Sequence, residues 1–332
     1  MVGLAGCLGD DESGLHAVET DDQLAQTIQD HPGAIHLEFE PYGWQQEVDE
    51  VTDTVDSWAL VGQWAFGPEV SADAVYEMCE IAMNHHDTIR EGDPTTLEYD
   101  PELMADAVLD DLEVHPGAAD FFEEHGVWDD SWTRGEDAAE HPGGTETITI
   151  GSTSTGSSTM QASQAFARAT SDHSDVIEID PQETGGWTAN LHEYDGGDIP
   201  AMGVDNNSLS KAMNSEGPFE DDPVDSLPMQ SFQFTSLQIY WVARAGTGIE
   251  HVDDIRDGGH TIYPIQPGFG TRLLTEEILQ QDGFWEPNDI MNVDTGDIPG
   301  AVEEGRVDAL CVYGANGVDL ASWCQEVDVR SQ

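Results

Sequence analysis

Thr147-Ile-Thr-Ile150 runs directly into Gly151-Ser-Thr-Ser-Thr-Gly-Ser-Ser158, and an apolar-periodic stretch follows from Met160 to Thr170. β-branched residues in alternation predict a strand, the small polar residues a loop, and the 3.6-residue spacing a helix. Together they make a βα unit. The pattern recurs downstream. Val176-Ile-Glu-Ile179 reads as a strand leading to Glu183-Thr-Gly-Gly-Trp-Thr-Ala-Asn-Leu191, and Leu237-Gln-Ile-Tyr-Trp-Val-Ala-Arg244 is a strongly apolar strand. His251–Ile255 marks a short helix and Thr261-Ile-Tyr-Pro-Ile265 a strand. The loop Pro267-Gly-Phe-Gly-Thr271 then opens a helix to Gln281, and a helix over Ile298–Glu304 enters the strand Val307–Tyr313. Strands alternating with helices predict an α/β fold with mostly parallel sheets.

Upstream of this block the residues predict a short helix from Leu15 to about Gln29 and a buried strand over Ser57–Phe66. A helix follows with Ser71 as its N-cap and Val75, Met78, Cys79, Ala82 and Met83 on one face. Two more helices are expected near Pro101–Leu112 and His115–Gly126, and a strand is expected at Val327–Arg330. Residues 133–145 are polar, acidic and rich in turn formers, as a linker would be, and residues 1–14 read as a leader.

The chain of 332 residues carries 68 acidic side chains against 9 Lys and Arg, a net charge of −59. The acids are spread along the whole length, and 38% of residues are hydrophobic, with nine Trp and ten Phe, so a core can form. Self-repulsion at that charge is strong in dilute buffer and is screened in molar salt, where the Debye length is about 3 Å. The composition therefore points to a protein working in concentrated salt. It also argues against nucleic acid as a partner, since phosphate binding needs basic patches. No 18-residue apolar run is present, so the expected membrane contact is a lipid. Leu4-Ala-Gly-Cys7 followed by an acidic stretch resembles a lipobox with Cys7 as the lipidated residue, although the front of such a signal is missing. A Cys311–Cys324 bridge is compatible with an oxidising compartment, but nothing in the sequence demands it.

Three loops rich in Gly, Ser and Thr each follow a strand: Gly151–Ser158, Thr184–Trp187 and Gly268–Arg272. Each is an ordinary turn when read singly. As a set they offer backbone N–H groups, hydroxyls and helix N-termini to a small anion, and Arg272 could pair with a carboxylate. The first loop lacks the P-loop lysine. No G-x-S-x-G or HExxH element occurs, and the adjacent His85 and His86 face different directions on a helix. Binding without catalysis, cofactor or metal is the expectation.

These motifs resemble the TAXI class of TRAP transporter solute receptors. The strand and loop Thr147–Ser158, the turn Glu183-Thr-Gly-Gly186, the run Tyr240–Thr271 and Glu304-Gly-Arg-Val-Asp-Ala309 are similar to that family's first half. Pro41-Tyr-Gly-Trp44, the strand Ser57–Phe66, the helix Val75–Asp87 and His115–Phe122 are similar to its second half, which here comes first. A circular permutation joined through residues 133–145 accounts for that order, and so does a rearranged or artificially joined reading frame.

The resemblance implies a two-lobed, type II periplasmic-binding-protein-like fold. Its lobes would be discontinuous, one of about residues 60–132 plus 146–236 and the other of about 15–59 plus 237–332. It implies an extracytoplasmic receptor that captures a small carboxylate or amino acid, such as glutamate or a dicarboxylate, and passes it to a TRAP membrane permease. Residues implied in binding are Ser152, Thr153, Ser154 and Ser158 in the first loop, and Gly185, Gly186 and Trp187 in the second. Asn206, then Gly268, Gly270, Thr271 and Arg272, Tyr313 and Asn316, and Tyr42 and Trp44 complete the set. Phe269 departs from the family's Gly-Ser-Gly turn. Two rival readings are a secreted α/β enzyme acting on a small anion and a sensory ligand-binding module.

Overall fold

Two long strands, buried along almost their whole length, organise the chain. The computed structural model describes residues 14–31, 33–44, 54–93, 97, 99–315 and 319–331. Residues 1–13, Cys7 among them, and Asn316 lie outside them. The strands are β1 (Leu15–Ala17), β2 (Ile35–Phe39), β3 (Val55–Phe66), β4 (Glu113–Val114), β5 (Thr133–Arg134), β6 (Glu146–Gly151) and β7 (Ile177–Gln182). They continue with β8 (Ala201–Asp205), β9 (Met229–Arg244), β10 (Thr261–Tyr263), β11 (Asp289–Ile290), β12 (Ala309–Ala315) and β13 (Asp319–Leu320). All belong to one curled open sheet whose main path is β11-β10-β12-β9-β3-β8-β6-β7, so the fold is mixed α/β.

The prediction of a mostly parallel sheet holds only at the two ends. β6 pairs in parallel with β7 and β8, and β10 with β11 and β12. In the middle, β3 and β9 run antiparallel to each other and to β8 and β12. Because β3 belongs to the first half of the sequence and both its main partners to the second, the two halves share one backbone ladder. Its register with β9 shifts between Gly62 and Ala65, a bulge in mid-strand.

One aromatic knot sits at that bulge and another lies nearer the start of β3. Trp64 stacks on Phe234 at 4.1 Å and meets the edge of Phe166 at 5.7 Å. Trp58 packs edge-on to Trp241 at 6.3 Å, and Trp241 against Phe284. Burying each such ring contributes about 1.5–3 kcal/mol. Trp58 and Trp64 are separated along β3 by roughly 20 Å of strand.

Several predicted elements are corrected. The helix expected from Leu15 begins only at Asp22, where Asp21 caps it by accepting from the Leu24 N–H at 2.9 Å; Leu15–Ala17 instead extend the sheet beside β9. The helix from Pro101 ends at Ala105. The Gln230 side chain accepts from the Leu109 N–H and donates to the Leu109 and Leu112 carbonyls, taking groups a longer helix would need. The strand expected at Val327 is part of a helix, Ser322–Ser331, because Trp323, Cys324 and Val327 share one buried face. Cys311 and Cys324 are free buried thiols with no bridge between them, and Cys324 Sγ lies 3.7 Å from the Tyr313 carbonyl. Residues 133–145 are pinned along their length: β5 pairs with β4, Gly135 N–H donates to Val114 and Ala139 bridges Ser71.

Candidate functional site

The three loops singled out in the sequence meet at a single cleft of about 350 Å³, part of it open to solvent. Each loop brings the N-terminus of a helix. Ser157, Ser158 and Thr159 open the helix Ser158–His173 there, Gly186 and Trp187 open Trp187–Asp195, and Phe269, Gly270 and Thr271 open Gly270–Gln281. Leu237 of β9 and Tyr313 of β12 supply the remaining wall with Thr153.

Local chemistry explains why these ends converge. Ser157 caps its helix by accepting from the Met160 N–H at 3.1 Å, and the Thr153 and Ser157 hydroxyls bond to each other. The amide of Asn190 donates to the carbonyls of Gly151, Ser152 and Gly203 at 3.2, 2.7 and 2.9 Å, fastening the second helix to the end of β6 and the middle of β8. Trp187 reaches across to donate to the Thr159 hydroxyl at 3.1 Å. Gly186 sits at φ 128°, and a Cβ there would lie 2.9 Å from the Gly268 carbonyl oxygen, so the second and third loops touch only because this residue has no side chain. At Gly270 a Cβ would meet Asp205 at 2.4 Å and the Trp187 ring at 2.7 Å.

The second and third helices have no side-chain cap, so their first N–H groups are left for water or a ligand. Each helix end favours a nearby anion by about 0.3–1 kcal/mol, and by up to about 2 kcal/mol when partly buried, so three together supply a few kcal/mol. The Thr271 hydroxyl at this floor is buried and has no hydrogen-bond partner. Among the described residues none in the lining carries a carboxylate, imidazole, thiol or cation; burial pushes the Tyr313 hydroxyl up, so it stays protonated at neutral pH.

Of the residues expected in the site, Thr153, Ser158, Gly186, Trp187, Gly270, Thr271 and Tyr313 line the cleft. The others stand elsewhere. Ser152 is turned into the core, its hydroxyl donating to Ser163 at 2.7 Å. Ser154, Gly185 and Gly268 belong to the loops but not to the lining. Asn206 is spent on the Gln63 amide and the Ala107 carbonyl. Tyr42 donates to Gln238 and Trp44 to Tyr240, positions of β9 that alternate away from the lining Leu237.

The largest correction concerns Arg272. Its guanidinium donates to the Ile265 carbonyl at 2.9 Å, to Asn292 at 3.0 Å and to Glu276 at 3.2 Å, and it lies 5.0 Å from the Trp285 ring centre. It supports the loop from behind, where Ile265 is held at φ 71°, a strained conformation for a β-branched residue. Sequence reasoning missed Asn190, Asp205 and Phe269 as site-shaping residues. Asp205 ends a strand and caps the next helix, which was the available signal.

Among the described residues one group, Asp21, His251 and Asp253, brings three potential metal ligands within 4.8 Å of one another. Arg256 already pairs with both acids, at 2.5 and 2.8 Å, so the group is an ion-pair cluster away from the cleft. Among the described residues no helix is long and apolar enough to cross a membrane. No family model matches the sequence, and a search of curated proteins finds no match to it.

Proposed function

We propose that the chain is an extracytoplasmic solute receptor that captures a small carboxylate in this cleft and delivers it to a membrane permease of the TRAP type. The observation that carries this reading is the convergence of three helix N-termini on one cleft with no charged side chain in its lining. Backbone N–H groups hold an anion without a lysine or arginine, in a molecule with very few of either. Among the described lining residues Tyr313 is the one titratable group, and burial keeps it protonated, which favours binding over turnover.

In this reading the molecule has two discontinuous lobes, the sequence halves are permuted relative to TAXI receptors, and the bulge between Gly62 and Ala65 is the hinge about which the lobes close. Each aromatic knot would then be the core of one lobe. A protein of net charge −59 is further proposed to work in concentrated salt, tethered outside the cell through Cys7.

A thermal-shift screen in molar KCl tests the assignment. Small carboxylates should raise the unfolding midpoint, since a ligand at 100 times its Kd stabilises by about 2.7 kcal/mol. Shifts given only by sugars or cations, or by nothing in the panel, would contradict it.

A further inference from the structure

The cleft restricts its ligand beyond the presence of a carboxylate, and this narrower inference rests on the carboxylate reading above. Polar groups in the lining are hydroxyls and main-chain N–H groups, while Trp187, Leu237, Phe269 and Tyr313 form an apolar wall. A second carboxylate on the ligand would find no cation among the described lining residues, and the guanidinium of Arg272 is committed to Ile265, Asn292 and Glu276. An ammonium would find no carboxylate among the described lining residues and would face the positive ends of three helices.

Asp205 lies against the floor, but it is fully buried behind Gly270 and caps its own helix through Ser208. Either extra charge would therefore be desolvated without a partner, which strongly opposes binding. The unpartnered buried hydroxyl of Thr271 independently marks the floor as a place for one polar ligand group.

The apolar wall has its own consequence. In molar chloride, a site made of N–H groups alone would fill with the salt anion. Contact with Phe269, placed in the middle of the Gly268–Gly270 turn, is what distinguishes an organic acid from chloride. We propose that the cleft selects monocarboxylates with a compact apolar body over zwitterionic amino acids and dicarboxylates.

Calorimetric titration of the full chain in molar KCl tests this with six probes. They are 4-methyl-2-oxopentanoate and phenylpyruvate, the amino acids of the same skeletons (leucine and phenylalanine), and glutamate and succinate. Either oxo acid should bind at least about tenfold tighter than its amino-acid counterpart and than the two dicarboxylates, a ratio typical of leaving a charged group unpaired. Equal or tighter binding of leucine, phenylalanine, glutamate or succinate would overturn the selectivity while leaving the carboxylate receptor standing. Absence of binding by all six would remove both. Phe269 is only half-buried, so Phe269→Ser should fold and should lower the preference for 4-methyl-2-oxopentanoate over succinate by about fivefold. An unchanged preference would eliminate the apolar wall as its source.

Discussion

Asp205 shows how one residue couples the site to the solvent. Burial pushes its carboxyl up to about 6, against the opposing effect of its bonds to Ser208. An acid whose folded value exceeds its unfolded value of about 3.9 stabilises the fold most below that lower value. Its contribution is then lost as pH rises through about 6, an effect of order 3 kcal/mol. Asp205→Asn keeps a side-chain oxygen for the cap and removes the titration. The midpoint of the variant relative to the parent should therefore climb as pH goes from about 4 to about 7. Melting curves of the two proteins at matched salt would show it, and a constant difference across that range would count against the buried charge.

At the scale of elements, the site is held by contacts between helices that lie far apart in sequence. Lys211, the chain's single lysine, extends from the helix Asn206–Asn214 to Glu277 on Gly270–Gln281 at 2.5 Å, and His31 lies 3.2 Å from the other Glu277 oxygen. Burial would push the Glu277 carboxyl up, but the bonds from His31 and Lys211 outweigh it and hold it below its ordinary value. Lys211→Met leaves a mostly buried carboxylate with one partner fewer. It should cost about 1–3 kcal/mol and lower the melting midpoint by about 2–10 °C; a midpoint within 1 °C of the parent would show that the pair contributes little.

The same scale explains what could be read from the sequence. Local patterns identified the strands β6 and β7, the helices at Ser71 and Gly270 and the three small-residue loops, because periodicity and capping act within a few residues. That the hydroxyl-rich loops follow strands and open helices was legible, but the direction of each side chain was not. Ser152 and Thr153 are neighbours of the same chemistry, and only the pleat of the chain sends one to Ser163 and the other to the cleft. Arg272 was misread because its partners Ile265 and Asn292 are brought to it by tertiary packing. The early end of the helix at Ala105 likewise depends on Gln230, more than a hundred residues away.

For the whole molecule, the charge of −59 is the dominant long-range term. Screening shortens its reach from about 10 Å at 0.1 M salt to about 3 Å at 1 M. The melting midpoint should rise steeply with KCl over about 0.1–3 M, and a flat or falling curve would argue against adaptation to concentrated salt. High salt also weakens the repulsion of an incoming anion, leaving capture to the short-range field of the three helix ends. That field is the centre of the account, and amide-resolved NMR of the labelled chain in molar KCl, titrated with the carboxylate giving the largest thermal shift, tests it most directly. The predicted result is that the largest changes fall on the amides of Ser158, Thr159, Trp187, Gly270 and Thr271. A ligand that stabilises the protein while its largest changes cluster elsewhere would contradict it.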